Sequence, residues 1–352
     1  MSTAASIAKR DSAVKRGLAF IYSTACNPEH FQSYAEDYLC CFYCISATSS
    51  NPDLRQTARA FGRELARRWR RDYSEVPRTA DANYVAALVF GNDAADRLGV
   101  RDNAFKEQLR KLAGDFDTRD YMLFDPATER PATDVPMECD CGVTNRRGRK
   151  ICRRCKSQLT MTSAYWVWLI ALTRSYTAER HGIKLGTSFR SVLKWLPAMR
   201  PYPSLDGTED EFDSYWAIYA VTHVVYALND YGSYRLSPTW LPKEYAFLKR
   251  SLTRALEMED PETMGELLDS LKSFGLTSNH PLIRRGMDYL LSCQNEDGSW
   301  GNPDAEDIYE RYHPTWTAID GLREYAWRGE RLSLQRLRPL VAWCAKQPDG
   351  NA

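Results

Sequence analysis

Apolar residues recur at helical spacing along most of the chain, and the two-residue alternation of a half-buried strand is nearly missing. The pattern predicts helices at roughly 4–23, 28–47, 52–71, 80–97, 103–115, 161–180, 187–196, 213–230, 241–258, 261–274, 281–293, 313–328 and 334–346. In the second half two kinds of helix alternate. Residues 163–173 and 215–228 are apolar nearly all round, as befits helices buried on every side. Residues 241–256 and 264–274 carry one stripe only, Tyr245, Leu248, Leu252 and Leu256, then Met264, Leu267, Leu268 and Leu271. Segment 116–160 breaks the helical pattern with Pro126, Pro131, Pro136, Gly142 and Gly148, and it reads as an insertion at 136–158 within a single domain spanning 1–352.

The stretch Gln294–Gly301, with a turn-forming Asp297-Gly298 and an indole at Trp300, lies between two helical patterns and reads as a helix-to-helix corner. Pro314 then falls in the first turn of the following helix, where a missing N–H costs nothing. A Gln side-chain amide can satisfy backbone groups left unpaired at a helix end, and Trp300 supplies a rigid apolar lid with one N–H to place. Gln294, Asp297, Gly298, Ser299, Trp300 and Gly301 resemble the QW motif of the squalene-hopene cyclase and protein prenyltransferase β-subunit superfamily. The resemblance covers residues 281–325 and implies an all-α, single α/α toroid, with inner and outer helices around a central cavity. Polysaccharide lyases on a related toroid can show a similar turn, and an ordinary helical solenoid would also alternate buried and exposed faces.

The 352 residues are 43% apolar, enough for a substantial core. With 47 basic against 46 acidic residues the formal charge is +1, so any polyanionic partner has to be met by a local patch. Lys9, Arg10, Asp11, Lys15 and Arg16 interrupt the N-terminal apolar positions, which excludes the core of a signal peptide. The longest apolar run, 164–172, is too short for a transmembrane segment, and a cytoplasmic location is expected. Cys26, Cys40, Cys41, Cys44, Cys293 and Cys344 are expected to be buried reduced thiols.

The other four cysteines, Cys139, Cys141, Cys152 and Cys155, form CxCx10CxxC, with Gly142, Asn145 and Gly148 expected in left-handed positions around a metal-binding knuckle. Four thiolates suit tetrahedral zinc and leave no open coordination position, which makes the ion structural. Arg146, Arg147, Arg149, Lys150, Arg153, Arg154 and Lys156 crowd this loop, and Arg55, Arg59, Arg63, Arg67, Arg68, Arg70 and Arg71 crowd the helix at 52–71. Together they suggest a face for nucleic acid or another polyanion, and a knuckle adaptor binding nucleic acid or protein is one functional alternative.

Two places carry candidate cavity chemistry. Asp304, Glu306 and Asp307 precede His313, and clustered carboxylates raise the pKa of at least one member. AspAlaGluAsp resembles the acidic DxDD motif of class II terpene cyclases, which implies Glu306 as the protonating acid tuned by Asp304 and Asp307. Tyr312-His313 is similar to a Tyr-His pair of prenyltransferase β subunits, where the His is a zinc ligand. In the second place Tyr219, His223 and Tyr226 share one helix face, and His223 with His313 and one carboxylate forms a candidate second metal site. The sequence thus leads to an enzyme acting by acid–base chemistry on a small hydrophobic or isoprenoid-like substrate. A metal-dependent oxidoreductase or hydrolase using His223 and His313 is the alternative enzyme.

Overall fold

The computed structural model describes residues 3–203 and 211–350, and its regular structure there is entirely helical, apart from isolated β-bridges. The helices are α1 (Thr3–Cys26), α2 (Pro28–Thr48), α3 (Pro52–Asp72), α4 (Ala82–Arg97), α5 (Asn103–Leu112), α6 (Thr118–Met122), α7 (Ala164–His181), α8 (Phe189–Leu193), α9 (Glu211–Asn229), α10 (Pro242–Met258), α11 (Pro261–Ser273), α12 (Pro281–Ser292), α13 (Tyr309–Leu322) and α14 (Arg338–Lys346). No described helix is long and apolar enough to cross a membrane.

Local chemistry explains the starts. Five helices open on proline, at Pro28, Pro52, Pro242, Pro261 and Pro281, where the chain loses no intrahelical bond. Before four of them a side chain caps the first turn: Asn27 accepts from the N–H of Glu29 and His30, Asn51 from Asp53 and Leu54, Asp260 from Glu262 and Thr263, and His280 Nδ1 from Leu282.

Pro314 departs from expectation. It sits inside α13, which begins four residues earlier than the sequence suggests, at Tyr309, and ends sooner, at Leu322. Proline removes the donor that would reach the Glu310 carbonyl, and the backbone of Gly301 packs on that oxygen, leaving no room for a side chain: a Cβ there would lie 2.2 Å from it. A short helix, α6, also interrupts the segment expected to be irregular.

One hydrophobic cluster extends from Ala13 to Cys344, and a much smaller one joins Cys139, Cys152 and Leu159. Helices α2, α4, α7, α9, α11 and α13 all give side chains to one cavity. Outside them, α1 packs on α13 and α2, α3 on α2 and α4, α10 on α9 and α11, and α12 on α10, α11 and α13. α10 keeps the expected one-sided burial. α11 does not, since every residue from Thr263 to Ser273 is buried, including Glu266, Asp269 and Lys272. The polar positions that look like a solvent face in the sequence point instead at neighbouring helices and at the cavity. Gly265 lets α11 approach α13 closely, with the Thr317 backbone 2.3 Å from where a Cβ would stand.

The Gln294–Gly301 corner joins α12 to α13. Gln294 Nε2 donates to Ala13 O and Gly298 O, both at 2.9 Å, and so ties the corner to the middle of α1. The fully buried Trp300 donates from Nε1 to Leu290 O at 2.7 Å, closing the end of α12. Of the six cysteines outside the knuckle, Cys40, Cys41, Cys44 and Cys344 are buried, but Cys293 is half-buried and Cys26 is exposed, at the last residue of α1.

Candidate functional site

The cavity has a volume of about 580 Å³, within the range of small-molecule sites. Its wall combines aromatic faces, among them Tyr34, Trp166, Tyr215, Trp216, Tyr309 and Trp316, with carboxylic acids from α2, α11 and α13. Both His223 and His313 line it, and their environments drive them apart.

His313 Nδ1 lies 2.8 Å from Glu262 Oε1, and the Tyr219 hydroxyl donates to the same oxygen at 2.5 Å. Burial pushes the His313 imidazole down, but the Glu262 charge and hydrogen bond, with Glu266 and Asp37 nearby, outweigh it and raise the pKa to about 9. Glu262 in turn is held below the usual carboxylate range: burial works against this, and the His313 charge with the bonds from His313 and Tyr219 prevails. The two form an ion pair at neutral pH, with His313 the member that lines the cavity.

His223 is neutral. Burial lowers its pKa to about 4 against the bond to the Tyr219 carbonyl, and the His313 charge lowers it further. Nδ1 lies 2.8 Å from that carbonyl, so Nδ1 carries the proton and Nε2 is left as an acceptor.

The acids deepest in the wall are Glu266 and Asp269, which are 4% and 6% exposed. Burial raises Glu266 to about 7 against the pull of the His313 charge, and burial with the neighbouring Asp320 raises Asp269 to about 7 against Arg323 and Lys272. Glu266 Oε2 and Asp269 Oδ1 have no hydrogen-bond partner among the described residues. Asp37, also raised by burial, accepts from the Tyr312 hydroxyl at 2.9 Å.

The acidic loop is placed differently from expectation. Asp304 and Glu306 are exposed and do not line the cavity, and Asp307, exposed as well, accepts from the Tyr34 hydroxyl at 3.0 Å and caps Tyr309 N at 2.9 Å. The reason is the earlier start of α13. Its added turn carries His313 inward onto Glu262 and leaves residues 304–307 outside. Asp304, Glu306 and Asp307 thus lie off the cavity, while Glu266 and Asp269 line it and Glu262 pairs with His313, three acids that sequence reasoning missed because α11 looked one-sided. The signal available was a helix with Glu262, Glu266 and Asp269 at i, i+4 and i+7.

The four cysteines converge. One sulfur from each of Cys139, Cys141, Cys152 and Cys155 lies within 4.8 Å of the others, with Cys139–Cys155 at 3.3 Å and Cys141–Cys152 at 3.7 Å. Two tight turns hold them, closed by Gly142 N to Cys139 O at 2.7 Å and Lys156 N to Cys152 O at 3.2 Å. Gly142, Gly148 and Lys156 adopt left-handed backbone, whereas Asn145 does not. The Asn145 side chain instead bridges the turns, donating to Val143 O and Cys152 Sγ and accepting from Arg153 N. Backbone N–H groups of Cys155 and Arg154 and the Asn145 amide lower the Cys152 thiol to about 5 against its desolvation. This is a thiolate-stabilising set that can hold a metal ion. It is the one group of three or more close His, Cys, Asp or Glu ligands among the described residues, so His223, His313 and a carboxylate do not assemble a second metal site there.

The basic residues divide. Arg147 pairs with Glu129 and Asp134, Arg68 donates to Ala25 O and Cys26 O, and Arg70 pairs with Asp102. Arg146, Arg149, Lys150, Arg153, Arg154 and Lys156 stay exposed on the knuckle. α3 packs on α1, α2 and α4, while the knuckle is fastened to the segment 123–134 through Arg147 and Gly148. Comparison with protein-family models, curated proteins and solved structures finds no match to this chain.

Proposed function

We propose that the chain is an α/α toroid enzyme that isomerises or cyclises a small apolar, isoprenoid-like polyene by proton transfer in its cavity. The fold reading is supported by six cavity-lining helices backed by outer helices, and by the Gln294–Trp300 corner. The chemistry rests on one observation above the rest: Glu266, buried in an aromatic-walled cavity, holds a carboxyl with an unpartnered oxygen and a pKa near neutrality. Such an acid is protonated often enough to donate and poised to do so.

In the proposed step the Glu266 carboxyl transfers its proton to one carbon of a C=C bond. The π pair becomes the new C–H bond, and positive charge develops on the neighbouring carbon. Trp216, Trp316 and the surrounding tyrosines line the cavity where that charge develops and offer ring faces to it. Loss of a proton to His223 Nε2 restores a double bond, and its return to Glu266 completes the cycle with no net change in composition. Incubation with acyclic isoprenoids such as farnesol, followed by gas chromatography and mass spectrometry, tests this. An isomer of unchanged mass is expected from the wild type and not from Glu266→Gln.

We further propose that zinc fills the cysteine cluster. Tetrahedral coordination with zinc–sulfur bonds of about 2.3 Å sets sulfurs roughly 3.8 Å apart, close to the separations found. With all four positions taken by sulfur the ion is structural, stabilising a loop whose own core is three residues. The six exposed cations around it favour a second role, binding of a nucleic acid or other polyanion at the knuckle. That binding should weaken steeply with added salt, and none at low salt would remove the role.

A further inference from the structure

Buried guanidinium groups in this protein have carboxylates. Arg180 pairs with Asp93 and Asp230, Arg200 with Glu244, and Arg323 with Asp320. Arg174 differs. It lines the cavity from α7, its Nη1 donates to Tyr121 O at 2.6 Å, and no carboxylate comes within ion-pair distance among the described residues. The acid whose charge acts on it, Asp81, is committed to the start of α4, where it accepts from Tyr84 N at 2.9 Å. Burial accordingly lowers the Arg174 pKa, with Asp81 and Tyr121 offsetting part of the effect. A guanidinium remains charged under such a shift, so the wall carries a partly desolvated positive charge with no carboxylate paired directly to it.

Its position is also distinctive. α7 packs on α4 and α9, whereas Glu266 and Asp269 come from α11, packed on α9 and α13. Thr173 and Thr177 of α7 and Asn83 of α4 line the same cavity. Arg174 shares its part of the lining with these hydroxyl and amide groups, while carboxyl groups enter the cavity from α2, α11 and α13 and aromatic faces from α2, α7, α9 and α13.

Building on the acid–base reading above, we infer that Arg174 anchors an anionic head group of the substrate, a carboxylate or a phosphate ester, and so places the apolar chain against Glu266. A planar guanidinium binds two oxygens of either group at once, which fixes direction as well as affinity. An uncharged alcohol with the same chain cannot make this paired, charge-assisted contact.

Trp166, Trp216 and Trp316 in the wall give the readout through quenching of their fluorescence. Farnesol, farnesoic acid and farnesyl monophosphate, which share one chain, are titrated into wild type, Arg174→Gln and Arg174→Lys. The wild type should bind one or both anions about tenfold or more tightly than the alcohol, and the larger ratio identifies the head group. Arg174→Gln should lose that advantage while keeping the affinity for farnesol, and Arg174→Lys should keep part of it. Equal binding of alcohol and anions by the wild type, or an anion advantage that survives in Arg174→Gln, would overturn the inference and leave the acid–base reading standing. Failure of all three to bind the wild type would overturn both.

Discussion

His313 Nδ1 and Glu262 Oε1 stand 2.8 Å apart across two helices, α13 and α11, that meet through Gly265. Their pairing places a charged imidazole in a cavity whose other histidine is neutral. Replacing Glu262 with Gln removes the charge that holds the proton, and burial then dominates. The His313 pKa should fall from about 9 towards or below its ordinary 6.5, with Glu266 and Asp37 still opposing burial, read by NMR titration of the imidazole. A value unchanged in the variant would show that Glu262 is not the cause.

Glu266 and Asp269 make stability depend on pH in a defined direction. Their folded-state values, about 7, exceed the ordinary carboxyl values of 4.5 and 3.8, so the folded protein holds protons that the unfolded chain releases. The stabilisation is complete below about pH 4 and is lost as pH rises through 7. Glu266→Gln keeps the shape and cannot ionise. Its stability relative to wild type should increase between pH 5 and 8 by about 1–3 kcal/mol, measured by denaturant unfolding at several pH values. A pH-independent difference would contradict the raised value.

Trp300 and Gln294 act on the same corner with different strength. Trp300→Ala removes a fully buried indole and its bond to Leu290 O, and should cost about 3–5 kcal/mol. Gln294→Ala removes two bonds from a half-buried amide and should cost about 1 kcal/mol, again by denaturant unfolding. The reverse order would mean that the corner is held by its amide.

Much of this architecture could be read from residue order, for reasons visible in particular residues. Asn27-Pro28, Asn51-Pro52 and Asp260-Pro261 mark helix starts, and Gln294 to Trp300 marks the corner, because each acts within a few residues of itself. The cysteine cluster was legible for the same reason, its two tight turns setting the sulfur positions locally. The cavity acids were not. Glu262, Glu266 and Asp269 fall on what periodicity assigns to solvent, and only the packing of α11 between α9, α10, α12 and α13 turns those positions inward. Asp304 and Glu306 attracted attention through clustering, yet the position of residues 304–307 depends on where α13 begins. Pro314 suggested a later start than the helix takes.

Cys152→Ser should reduce bound zinc from about one ion per chain to none, by elemental analysis, and lower the melting temperature by several degrees. Turnover at a permissive temperature should persist, because the cysteine cluster and the cavity share no residue. Loss of turnover in a variant that remains folded would place the metal in the chemistry.

Deuterium incorporation tests the proton-transfer account most directly. In heavy water the Glu266 carboxyl exchanges its proton for a deuteron before each turnover, so an isoprenoid substrate should yield an isomer carrying a single solvent-derived deuterium at the protonated carbon. Glu266→Gln should give none of this product while remaining folded. An isomer formed by the wild type without deuterium, or formed equally well by Glu266→Gln, would contradict the account.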